Sequence, residues 1–257
     1  ERDLLFPRAA EITRDTPPGH FNAIFLSDIA PLDTEDFVEA VKRANEQGAF
    51  VFWNHQEWKG PELGRWMEVH TLLYDNKWLH GMEVCNGETY YPQAHQWCLD
   101  KGLTMMGTSD IHDTDRRDKS SSEDHRTLTL VFARERTLEA LKEALVEGRT
   151  VVWYEDQLIG RQDLLGPLFY ECIRIAKPHL RSQKAVWVKI ENSCDFDIKL
   201  ERTGNLGPGE LTLPARTVNL VRIVGPNLTG PLELPYIATN FLVAPERSLP
   251  VTLRIPQ

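Results

Sequence analysis

The 257-residue sequence has no run of about 18 apolar residues, so no segment reads as a membrane-spanning helix. Cysteine is scarce: Cys85, Cys98, Cys172 and Cys194 form no Cys-x-x-Cys pair, which argues against a zinc ribbon and a dense disulfide framework. Positive charge is also short. The 29 Lys and Arg stand against 38 Asp and Glu, and the net −9 disfavours general nucleic-acid binding and an anionic membrane surface. There is no internal repeat and no low-complexity tract. With 41% apolar and 26% charged residues the balance is that of a globular protein, which excludes wholesale disorder and a fibrous chain. An initiator Met, a signal peptide and a tag are absent as well; Glu1-Arg-Asp-Leu-Leu-Phe6 reads like the middle of a domain, and localisation is not legible.

What is present divides in two. Residues 1–173 carry 18 basic and 31 acidic residues, a net −13, whereas residues 174–257 carry 11 and 7, a net +4. The pattern changes near the same place. Short apolar runs at 23–26, 49–52, 81–85, 104–108, 128–132 and 150–154 alternate with helical patterns at 34–47, 92–101 and 137–148. Pro92 opens one helix, and Gly48, Gly102 and Gly148 stand where helices should stop. Strands alternating with helices predict βαβ units and a mainly parallel sheet or barrel. From 185 onward short alternating strands, punctuated by Gly-Pro turns, predict a small all-β sandwich. The expected organisation is a metal-binding barrel over 1–160, a docking helix and linker over 161–178, and a β-sandwich over 179–257. The polar run 113–124 reads as one exposed loop.

In parallel sheets and barrels the carboxyl ends of strands face the active site. Reading those positions gives Glu11 in Glu-Ile-Thr13, His20 in Pro-Gly-His-Phe-Asn22, His55 in Trp-Asn-His55, and Asp110 and His112 in Thr-Ser-Asp-Ile-His112. Imidazole and carboxylate together suit borderline divalent metals, and a bridging carboxylate lets two ions sit close. His70, His80, His95, His125 and His179 read as ordinary core or surface residues. Glu83 fits either a group behind the metal ligands or a buried partner of an Arg, and Cys85 reads as a small buried thiol.

These motifs, in this order, resemble the later motifs of PHP domains, the polymerase and histidinol phosphatase family. The layout with a β-rich tail resembles the bacterial two-domain PHP-like phosphoesterases, over roughly residues 5–160 plus the tail. The resemblance implies a distorted seven-stranded βα (TIM-like) barrel holding two to three divalent ions of Zn, Mn or Fe. By position, Glu11 matches the carboxylate bridging the first two metals, His20 and His55 the histidines of the second, Asp110 the carboxylate of the first, and His112 a ligand of the third. The family also uses a His-x-His on its first strand, and no His occurs before His20. The expectation is a barrel lacking about two strand-helix units at its front, incompletely metallated and inactive alone. Gln56 stands where many relatives have proline, and Ala9-Ala10 where a glycine-containing pair is common.

The implied activity is metal-dependent hydrolysis of a phosphate ester, from a phosphorylated small molecule or nucleotide, by water activated on the metals. Arg116, Arg117 and Arg126 are the candidate phosphate-gripping cations. Two alternatives stay open: a related amidohydrolase-type enzyme acting on C–N or C–O bonds, and a non-catalytic binding or assembly protein whose unpaired sheet edge favours oligomers.

Overall fold

A computed structural model describes residues 4–112, 125–226 and 228–257. The polar run 113–124, with Arg116 and Arg117, lies outside the described residues. The chain divides into two compact units, one of residues 4–112 with Arg126–Tyr154 and the other of His125 with Glu155–Gln257. Among the described residues, no helix is long and apolar enough to cross a membrane.

The first unit runs β1 (Ala9–Ile12), β2 (Phe21–Ile24), α1 (Phe37–Glu46), β3 (Phe50–Trp53), α2 (Glu68–Asp75), β4 (Gly81–Asn86), β5 (Thr89–Tyr90), α3 (Pro92–Lys101), β6 (Thr104–Thr108), β7 (Leu128–Val131), α4 (Leu138–Val146) and β8 (Thr150–Tyr154). Local chemistry sets these limits. The Asp36 carboxylate accepts from the N–H groups of Val38 and Glu39 to start α1, and Thr137 accepts from Ala140 N–H to start α4. Pro92 sits in the first turn of α3, and Gly102 ends it in the left-handed conformation at φ 67°.

The alternation of strands and helices is observed, but the expected TIM-like barrel, incomplete at its front, is not. One sheet runs β1-β2-β3-β4-β5 with β6 also on β4, and it stays open at β1. Nor is it mainly parallel. Its β3–β4 and β4–β6 ladders are parallel, whereas β1–β2, β2–β3 and β4–β5 are antiparallel. The reason is local: the short connection from Thr13 to His20 holds no helix, so β2 folds back beside β1. Beyond β6 the unit continues through side chains. Gly107 N–H donates to Thr129 Oγ1 at 2.9 Å, and Thr150 Oγ1 donates to the Met105 carbonyl at 2.8 Å. Gly107 is required there, because a Cβ would lie 2.3 Å from Val152 Cγ1. Phe50, Phe52, Met106 and Leu145 form a buried cluster against Ile24, Phe25, Val131 and Leu141, which ties β3 and β6 to α4.

The second unit comprises β9 (Gln157–Gly160), α5 (Gln162–Cys172), β10 (Ile173–Ile175), β11 (Leu180–Arg181), β12 (Ala185–Asn192), β13 (Ile198–Arg202), β14 (Glu210–Leu213), β15 (Thr217–Val224), β16 (Leu232–Ala244) and β17 (Arg247–Ile255). One antiparallel sheet orders β10-β12-β11 with β15 on β12. The other joins β14-β13-β16-β9 with β17 on β16. Period-2 alternation buries Val186, Val188 and Ile190 of β12 and Leu249, Val251 and Leu253 of β17. Cys172 and Cys194 form a disulfide linking the end of α5 to the turn after β12. Their separation of 22 residues carries no motif that sequence reading could have used. Cys85 and Cys98 are buried, as Cys85 was expected to be.

Candidate metal centre

The antiparallel return of β2 is what assembles the site. Ile12 pairs with Phe21, and Phe21 pairs with Trp53. The start of β2 therefore lies between the ends of β1 and β3, and Asn54 N–H donates to the His20 carbonyl at 2.9 Å. Glu11 near the end of β1, His20 just before β2 and His55 just after β3 then offer ligand atoms within 4.8 Å of one another. Glu11 Oε1 accepts from Thr13 Oγ1 at 2.9 Å and lies 2.9 Å from His20 Nδ1. The His20 and His55 rings meet edge-on at 4.8 Å between centroids.

His55 is buried, and its Nδ1 has no hydrogen-bond partner. Burial lowers its pKa, and neighbouring His20 adds to that, while the charges of Asp110 and Glu11 act the other way. A neutral imidazole with an unsatisfied buried lone pair fits a cation better than a proton. The donor set of two imidazoles and one carboxylate fits a divalent ion of the zinc or manganese type.

The backbone at these strand ends is unusual. His55 at φ 24° and Asp110 at φ 46° both occupy the left-handed region. For residues other than glycine such conformations cost on the order of 1–3 kcal/mol and concentrate at functional sites. Asp110 and His112 follow β6 and line the same cleft of about 560 Å³ as Glu11, His20 and His55. They stand outside the close three-residue group. Asp110 is exposed, and the His112 side chain, 83% exposed, has Nδ1 2.8 Å from the Asp110 carbonyl. Arg126, half-buried, precedes β7.

Behind the cleft lies Glu83, which is 1% exposed. Burial pushes its pKa up to about 7, against hydrogen bonds from Thr108, the His55 N–H and Asn86 that pull it down. Among the described residues its hydrogen-bond donors are the uncharged groups of His55 N–H, Asn86 and Thr108, and none is an Arg. Thr13, Trp58, Asn86, Thr89 and Tyr91 complete the walls. Sequence reading missed them, and only Trp58, three residues past His55 and 49% exposed, carried a signal. Burial, with nearby Glu83 adding to it, pushes the Tyr91 phenol up to about 12.

The other histidines of this unit are core groups. His70 Nδ1 accepts from Met67 N–H at 3.0 Å, and its Nε2 lies 2.9 Å from the Pro18 carbonyl. His80 Nδ1 accepts from Val51 N–H at 2.9 Å. His95 lies 2.8 Å from the Tyr90 hydroxyl.

A family model described as an Ig-like domain matches residues 173–254, within the second unit. No curated protein matches the chain in sequence. A crystal structure from Bacteroides vulgatus ATCC 8482, of a two-domain protein containing a predicted PHP-like metal-dependent phosphoesterase, superposes with a TM-score of 0.92 at 42% identity. The match covers 98% of this chain and 75% of that one. With its cluster of strand-end ligands and an Ig-like tail, the chain belongs to the family of two-domain PHP-like proteins.

Proposed function

We propose that the chain hydrolyses phosphate esters at the cleft above β1, β3 and β6. Glu11, His20 and His55 would hold a divalent ion, with Asp110 and His112 as further ligands at the open side. The observation that carries this reading is the convergence of Glu11, His20 and His55 within 4.8 Å, with an unsatisfied buried nitrogen on His55. When bound, such ions supply a Lewis acid that polarises a phosphoryl oxygen and acidifies water.

The remaining work falls to the chain. Glu11 fixes His20 through their 2.9 Å contact, and burial keeps His55 neutral and able to donate its lone pair. Asp110 and His112 enter this reading as ligands at the solvent side, and the departing alkoxide would take its proton from water. Trp58 and Tyr91 line the cleft beside these ligands. Arg116, Arg117 and Arg126 are the proposed phosphate contacts, the first two outside the described residues.

A close group of three ligands supports one ion more directly than a full set of two or three, so slow turnover is expected from this chain alone. Purified protein should hydrolyse p-nitrophenyl phosphate or its bis-ester with added Mn²⁺ or Zn²⁺, and lose that activity with chelator. Activity unchanged by chelator, or hydrolysis of amides without any of phosphate esters, would overturn the reading.

A further inference from the structure

Glu83 stands in the middle of β4 with its side chain almost wholly out of water. Burying a carboxylate is costly unless hydrogen bonds compensate, so its partners show what its burial achieves. Oε2 accepts from the backbone N–H of His55 at 2.6 Å and from Asn86 Nδ2 at 2.9 Å. Oε1 accepts from Thr108 Oγ1 at 2.5 Å. The donors belong to three neighbouring strand ends: His55 two residues past the end of β3, Asn86 last in β4 and Thr108 last in β6. One carboxylate thus joins the ends of three strands.

The bond to His55 has a particular consequence. The φ angle of His55, 24°, is a rotation about the bond from that same backbone nitrogen to Cα. Holding the N–H fixes the peptide plane from which φ is measured, so the acceptor helps to sustain a left-handed conformation that an L-residue otherwise avoids. Thr108, bound to the other oxygen, lies two residues before Asp110, which is left-handed as well at φ 46°. Cross-links of this sort around metal sites set ligand orientation, and their loss typically costs about 10–100-fold in metal affinity.

We propose that Glu83 is a positioning residue, whose carboxylate fixes the His55 peptide and the end of β6 and so sets the His55 imidazole and the Asp110 carboxylate in the cleft. This inference rests on the reading of His55 as a metal ligand. A brace that served the fold alone would change the melting temperature without changing how well the folded protein takes up metal.

Glu83→Gln keeps the shape of the side chain but leaves one acceptor oxygen for three donors. The full chain and this variant are titrated with Zn²⁺ by calorimetry, with circular dichroism and the melting temperature recorded before metal is added. The Co²⁺ absorption bands of each report the ligand geometry. The expected result is a folded variant that binds Zn²⁺ about 10–100-fold more weakly, with altered Co²⁺ bands. Equal affinity with identical bands overturns the inference. If Glu83→Gln does not fold, Thr108→Val removes one of the three bonds and leaves the carboxylate in place. A severalfold weaker affinity then supports the inference, and an unchanged one overturns it. Wild-type protein that takes up no Zn²⁺ overturns both this inference and the metal-site reading, whereas wild-type uptake matched by the variants overturns this inference alone.

Discussion

Trp53 and His55 stand two residues apart and lead to two different histidine environments. Trp53 stacks on His70 at 3.8 Å between ring centroids, inside a cluster that includes Trp66 and Phe21. His55 instead meets His20 and Trp58 at the wall of the cleft. His70 has both ring nitrogens engaged by backbone groups, and His55 has one nitrogen engaged by nothing. Both are buried, so burial does not separate a structural histidine from a candidate ligand. The separating feature is whether the backbone nearby uses up the nitrogens. Helix α2 brings the Met67 N–H to His70, while the left-handed turn at His55 leaves Nδ1 unclaimed.

Removing the core member tests this contrast at its largest. His70→Ala should lower stability by on the order of 3–5 kcal/mol, as for truncation of a fully buried ring, and leave metal uptake by the folded protein unchanged. Denaturant melts with a Zn²⁺ titration would check it, and a loss of metal affinity would erase the distinction.

Acid should act next most strongly, again through the core. Burial lowers the pKa values of His70 and His95 to about 4. The unfolded chain therefore takes up these protons first, and the stability they contribute is full above pH 6.5 and lost as pH falls towards 4. Each amounts to about 3 kcal/mol. Glu83, raised to about 7, acts in the opposite sense: its contribution is full below the usual carboxylate range and is lost as pH rises to 7. Taken together, these three groups are expected to contribute a loss of about 3 kcal/mol between pH 7 and pH 4, to which the lowered pKa values of His55 and His80 add in the same direction, read from urea melts with chelator present. His95→Phe should flatten that slope, and a slope unchanged by it would contradict the account of His95.

At the cleft, His55→Ala should reduce affinity for Zn²⁺ or Mn²⁺ by more than about 100-fold, beyond the range for groups behind the ligands, with activity falling in step. Calorimetry and turnover of p-nitrophenyl phosphate measure both. His112→Ala should have the smallest effect on Zn²⁺ affinity, less than about tenfold, because its ring is exposed and outside the close group. A larger loss would move His112 into the centre of the site.

Much of this was legible in the residues. The Thr104–Thr108 and Thr150–Tyr154 strands lie where apolar runs predict them, and Pro92 and Gly102 bound their helix. Short motifs singled out Glu11, His20 and His55, which the structure gathers within 4.8 Å, because each sits beside the end of a short apolar run. Strand direction was not legible. Nothing in 13–20 states that β2 runs back against β1, which makes the sheet mixed where a mainly parallel, front-incomplete barrel was expected. For Glu83 the residues left open a group behind the ligands or an Arg partner, and could not decide because its observed partners lie 28, 25 and 3 residues away in sequence. The Cys172–Cys194 link depends on the sandwich bringing α5 to the turn after β12, which spacing alone does not encode.

The most direct test of the central claim is anomalous diffraction from crystals of this chain grown with Mn²⁺ or Zn²⁺. The account predicts a metal peak within about 2.0–2.2 Å of Glu11, His20 and His55 ligand atoms. A well-diffracting crystal with no peak there, or with the metal held only by other residues, would contradict it.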